Sequence, residues 1–101
     1  MKKDTTQPIE MLVFLREGED ESYDQLAEID RLNLKRKPVD LKTFEIEKDR
    51  EKARALRVEE APSILLLKNG EVLKRLNGLT EAAEIDTALS RVERYVDPFS
   101  S

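Results

Sequence analysis

Residues 60–69 read EAPSILLLKN, and the reading of the fold turns on them. An Ala-Pro-Ser step leads into a strand-sized apolar run, Ile64, Leu65, Leu66 and Leu67, which stops at Asn69-Gly70. Asn-Gly supplies the two positive φ values that a type I′ turn requires, so residues 63–68 and 71–76 predict a β-hairpin. Downstream, Gly78 closes the second strand and Thr80 is placed to cap a helix. On that helix Ala82, Ile85, Leu89, Val92 and Val96 form an apolar stripe flanked by Ala88 and Tyr95, and it is expected to end before Pro98.

Upstream, residues 9–15 (IEMLVFL) are apolar too continuously for a strand with one wet face, which predicts a central strand buried on both sides. Residues 16–21 (REGEDE) break the run, with Gly18 free to take a positive φ and acids where a helix would begin. A helix is expected over 20–33, with Leu26, Ile29 and Leu32 inward and Asp24, Glu28 and Arg31 outward. After the charged link KRKP at 35–38, the alternation in residues 41–47 (LKTFEIE) predicts an edge strand. Residues 48–57 predict a short charged helix with Ala53 and Leu56 inward.

The order strand, helix, strand, helix, strand, strand, helix describes an α/β fold. A βαβ crossover joined to an αββα unit makes one four-stranded mixed sheet with helices on both faces. The domain spans residues 9–97, preceded by a polar arm at 1–8 and followed by a tail at 98–101.

Composition narrows the chemistry. A chain of 101 residues holds one core, burying roughly 60–70% of the surface its unfolded form exposes. It contains no cysteine and no histidine, which removes disulfides, thiolate nucleophiles, imidazole bases and the commonest zinc ligands together. Its 18 basic and 22 acidic residues are mixed along the chain, so no basic face invites a phosphate backbone and a nucleic-acid partner is not expected. No apolar run approaches the ~20 residues that cross a bilayer, and a membrane partner is not expected either. Met1, Lys2 and Lys3 are followed by polar residues rather than by the apolar core of a signal peptide, so the expected location is cytoplasmic.

The element order, with Ala61-Pro62-Ser63 leading into the hairpin and Gly78 before the last helix, resembles the thioredoxin-like superfamily over nearly the whole chain. The resemblance implies a cis Ala61–Pro62 bond, and Ser63 stands where that family usually has Thr. The first strand and its loop are more similar to the glutaredoxin-like units of protein disulfide oxidoreductases, in which Cys-x-x-Cys opens the helix. Matching Phe14 and Gly18 to that pattern sets Glu19, Asp20, Glu21 and Ser22 at the four motif positions, with Glu19 at the nucleophile's and Ser22 at the resolving one. Neither a carboxylate nor a neutral hydroxyl performs thiol–disulfide exchange. The Trp that commonly precedes the motif is missing, and Val13 stands near the position of a buried acid in thioredoxin.

Each candidate site residue has a plainer reading. Glu17, Glu19, Asp20 and Glu21 lack the spacing of a calcium loop and suit a solvated helix start, so no metal and no cofactor is expected. Ser22 has no histidine to activate it and reads as an ordinary helix-start serine. The mixed signs of residues 48–57 read as a solvated face. Ala61, Pro62 and Ser63 differ, because the resemblance implies a loop whose backbone pairs with an extended peptide or with glutathione, a function that needs geometry rather than sulfur.

The sequence is therefore read as a redox-inactive binding, adaptor or regulatory domain for a protein or peptide partner. Its first surface is the 16–23 loop with Ala61, Pro62 and Ser63. Homodimerisation through an edge strand, 41–47 or 71–76, is a further expectation. Two alternatives stand beside it. One is a glutathione-binding or thiol-dependent transferase that uses the ligand's sulfur, with Arg16 and Lys68 as cations; the other is a structural domain of a larger assembly.

Overall fold

The computed structural model describes residues 8–95, so the arm and tail expected at the two ends lie outside the described residues, apart from Pro8. The first strand, β1, runs Ile9–Leu15 and sits inside a four-stranded sheet of order β2-β1-β3-β4. Its partners are β2 (Val39–Glu45), which is parallel to it, and β3 (Ser63–Lys68), which is antiparallel; β4 (Glu71–Asn77) pairs antiparallel with β3.

Being central explains why β1 reads as an unbroken apolar run. Side chains alternate along a strand. Ile9, Met11 and Val13 enter one core with Ile64 and Leu66, while Leu12 and Phe14 enter a second with Leu65 and Leu67. Helices α1 (Asp20–Asp30) and α3 (Ala82–Glu93) cover the first face through Ile29, Ile85, Ala88, Leu89 and Val92. The short helix α2 (Arg50–Ala55) covers the second with Ala53. On that second face the Phe14 and Phe44 rings stack at 5.1 Å between centroids, with Lys52 Nζ 5.7 Å above Phe44.

The hairpin turns at Asn69 (φ 55°) and Gly70 (φ 79°), the paired positive values expected of Asn-Gly. In β4 an extra residue interrupts the ladder, since Leu66 faces Lys74 while Leu67 faces Val72. Such a bulge breaks the strict alternation of facing along its strand. Leu73 and Leu76 thereby reach the first core, and Val72 reaches the second.

The elements depart from their expected bounds for local reasons. β2 covers Val39–Glu45 rather than 41–47 because its register matches the seven residues of β1, from Ile9 opposite Val39 to Leu15 opposite Glu45. Ile46 then donates its N–H to the Leu15 carbonyl at 2.8 Å and buries its side chain in the second core as the chain leaves the sheet. α1 stops at Asp30 rather than at residue 33, since Asn33 adopts a left-handed conformation (φ 52°) and Leu34–Arg36 form a 3-10 turn. α2 is six residues long against the ten of 48–57.

The inward face of α1 also differs. Ser22, Gln25 and Ile29 are buried, whereas Leu26 is 38% exposed. Gln25 can be fully buried because its amide pairs with both the N–H and the carbonyl of one residue. Its Nε2 donates to the Thr80 carbonyl at 2.9 Å, and the Thr80 N–H donates to its Oε1 at 2.8 Å. Thr80 is consequently not the N-cap of α3. It is buried, with its hydroxyl donating to the Gly78 carbonyl at 3.1 Å; Glu81 occupies the cap position, and the first helical N–H, that of Ala82, donates to Glu28 Oε1 of α1 at 2.8 Å. Glu28, expected to face outward, thus supplies a tertiary cap. Val96, the last member of the expected stripe, lies outside the described residues.

Replacing Gln25 with Leu keeps approximate volume but strands the Thr80 N–H and carbonyl. The expected loss of stability is about 2–4 kcal/mol in urea denaturation, at an unchanged denaturant slope.

Candidate binding site

The site begins where β1 leaves the sheet. The β1·β3 ladder ends with Phe14 opposite Ser63, and the same register carried onward sets Leu15 opposite Pro62 and Arg16 opposite Ala61. Arg16 does not continue the ladder. Its N–H donates instead to Ser22 Oγ at 2.9 Å, closing a loop in which Gly18 takes a φ of 79° and the Glu19 N–H donates to the Arg16 carbonyl at 3.2 Å. Ser22 is buried. Its hydroxyl oxygen accepts the backbone bond that closes the loop.

The loop before β3 is pinned at several points. The Ala61–Pro62 peptide bond is cis. The Pro62 carbonyl accepts the Gly78 N–H at 2.8 Å, Ser63 Oγ donates to the Glu60 carbonyl at 2.6 Å, and Ser63 itself is paired with Phe14 and Asn77. Glu59 and Ala61 are not pinned in this way. The N–H and carbonyl of Ala61 have no partner among the described residues, because the donor that would face it in the register, Arg16, has turned to Ser22. Peptide groups along a strand point alternately to its two sides. Ser63 faces the end of β1 in this way, and Ala61 lies just before it, where the β1·β3 ladder has stopped.

Of the four residues at the motif positions, Glu19 is half-buried as the N-cap residue of α1, while Asp20 and Glu21 are exposed. The Glu19 Oε2 lies 3.6 Å from Arg16 Nη1, and its Oε1 is buried without a hydrogen-bond partner among the described residues. Arg16 also donates from Nε to Glu47 Oε1 at 3.2 Å, so it holds two acids together at the mouth of the loop. The register brings the Arg16 loop beside Ala61. Among the described residues no hydrogen bond or ion pair joins Glu19, Asp20 or Glu21 to Ala61, Pro62 or Ser63.

A further feature, not expected from the sequence, lies on the second face. A groove of about 530 Å³ runs between α2 and the end of β2, lined by Arg16, Arg50, Arg54 and Arg57 against Glu47 and Glu59. Arg16 is engaged with its acids, but Arg50, Arg54 and Arg57 make no ion pair among the described residues. In a chain whose net charge is -4, this is a local excess of cation. Arg50 and Arg54, one turn apart on α2 beside buried Ala53, with Arg57 just past the helix end, are the signal the sequence offers, set among mixed charges that include Glu51.

Comparison with solved structures bears on the fold. A malarial protein matches at 24% identity with a TM-score of 0.75, covering 83% of this chain and 96% of that one. Thioredoxin-2, described as a component of malaria parasite protein secretion machinery, matches at 23% identity with a TM-score of 0.77, covering 84% of each chain. A mutant thioredoxin from Halobacterium salinarum matches at 13% identity with a TM-score of 0.79, covering 92% of this chain and 81% of that one. The fold is thioredoxin-like. No family model and no curated protein sequence matches. This thioredoxin-like domain contains no cysteine and so offers no thiolate to attack a disulfide.

Ser22→Ala should expose the consequence of losing the loop's acceptor. The Arg16 N–H is left without its partner, and amide exchange at Arg16 is expected to accelerate by at least about tenfold, with a stability loss of roughly 1–2 kcal/mol.

Proposed function

We propose that this domain works by binding rather than by redox chemistry, taking an extended segment of a protein partner alongside Ala61. The observation that carries this reading is that the half-buried Ala61 has no partner for its N–H or its carbonyl among the described residues, directly beside Pro62 and Ser63, whose backbone is held. An extended segment that supplies one N–H and one carbonyl there would pair as an added strand does. The backbone of β3 holds the receiving geometry, and no sulfur is required.

The arginine groove gives the segment its chemistry. A peptide leaving Ala61 across the second face meets Arg50, Arg54 and Arg57, none of which is neutralised from within the described residues. Acidic side chains on the bound segment suit that surface, with guanidinium forks receiving carboxylates. Adaptor, regulatory subunit and accessory protein are all roles for such a module, and a cytoplasmic location is part of this reading. Among the described residues no helix is long and apolar enough to cross a membrane.

The test is a titration of isotope-labelled protein with an extended peptide of alternating Val and Glu. The Ala61 and Arg16 amides are expected to shift, and binding should weaken steeply between low salt and ~0.5 M salt as screening shortens the reach of the arginines. Arg50→Glu combined with Arg54→Glu is expected to weaken binding by at least roughly tenfold. Shifts at Ala61 and Ser63 produced by glutathione, with none from the peptide, would favour the transferase reading instead. Silence at these amides with every ligand would remove the binding site from consideration.

A further inference from the structure

The two edges of the sheet are not equally protected. β4 carries the bulge beside Leu73 together with Lys74 and Arg75, and bulges and charges are the ordinary means of spoiling an edge for pairing. β2 is regular across its length. Its peptide groups can be assigned one by one. The Pro38 carbonyl accepts from Ile9, and the Ile46 N–H donates to Leu15, so even-numbered residues face β1 and odd-numbered ones face outward.

At both ends the outward groups are already engaged. The Val39 N–H turns to the Lys37 carbonyl at 2.7 Å; the Glu45 N–H donates to Asp49 Oδ2 at 2.8 Å, and the Glu45 carbonyl accepts from Lys48 and Asp49. What remains open among the described residues is the Val39 carbonyl and both groups of Leu41 and of Thr43. This set is centred on Leu41.

We propose that β2 pairs antiparallel with β2 of a second copy of this chain, in a two-fold register centred on Leu41. Leu41 then exchanges both of its peptide hydrogen bonds with the second copy's Leu41, and each Thr43 N–H donates to the other copy's Val39 carbonyl. The register also sets Asp40 opposite the second copy's Lys42, twice by symmetry, on the face that carries Phe44. On the other face the 40%-exposed Leu41 side chains meet across the axis, and the exposed Leu26 and Tyr23 border the same edge beside Thr43. Competing registers are poorer, and centring on Asp40 opposes aspartate to aspartate and calls on the engaged Val39 N–H. Centring on Lys42 opposes lysine to lysine and calls on Val39 to pair with Glu45, whose groups are occupied; centring on Thr43 calls on Glu45 as well. This surface is separate from the Ala61 site, and the inference does not rest on the function proposed above.

Charge exchange tests both the pairing and its register. Wild-type protein should sediment as a reversible dimer at or below ~1 mM, with slowed amide exchange at Leu41 and Thr43 on association. Asp40→Lys and Lys42→Asp alter side chains that are 57% and 50% exposed, so circular dichroism should be unchanged. Each variant alone opposes like charges and is expected to raise the dimer dissociation constant roughly tenfold. An equimolar mixture should recover association, because one copy then presents two lysines and the other two aspartates. A monomer up to ~1 mM, a dimer indifferent to both substitutions, or protection appearing along Glu71–Asn77 instead would overturn the proposal.

Discussion

The pairing of Phe14 with Ser63 at the end of the β1·β3 ladder decides how the rest of the chain is laid out. It fixes which residues of β1 and β3 enter which core, and therefore which face each helix must cover. It also places the end of β1 beside the loop that precedes β3. A shift of one residue would turn every side chain of a strand to the opposite face. With both faces of β1 buried, such a slip would set Phe14 and Leu12 against α1 and α3, in space shaped for Ile9, Met11 and Val13.

Around that ladder, polar groups hold segments that apolar packing alone would leave loosely placed. Gln25 and Glu28, three residues apart on α1, reach Thr80 and Ala82 and hold the start of α3 against α1. Ser22, three residues before Gln25 on the same face, holds the Arg16 loop. One face of one helix therefore positions both α3 and the Arg16 loop. The loop's conformation rests on a hydroxyl, a carboxylate and backbone, not on sulfur.

How much of this is legible in the sequence differs from element to element. The bounds expected for β1 and β3 match the structure and those for β4 fall within one residue, because a buried strand and an Asn-Gly turn are each specified by adjacent residues. Leu26 is expected inward and lies outward because hydrophobicity is an incomplete sign of burial; Gln25 is the residue with a partner waiting, 55 residues away. Thr80 fails as a cap for a similar reason: its local signal is sound, but a more distant carboxylate, Glu28, takes over the helix start. At the site, the loop residues and Ala61 are legible from the order of elements, while the arginine groove is not, since its members come into line with Arg16 only when α2 packs on the second face.

From sequence alone come the class of fold, the central strand, the hairpin and the absence of thiol chemistry, because these depend on composition or on neighbours within a few residues. The packed chain decides the rest. Which polar side chains are buried, which peptide groups of Ala61 and β2 stay open, and where unpaired arginines gather are settled by contacts between segments distant in sequence. A hydrogen bond is satisfied by whatever folding brings near, and residue order alone does not name that partner.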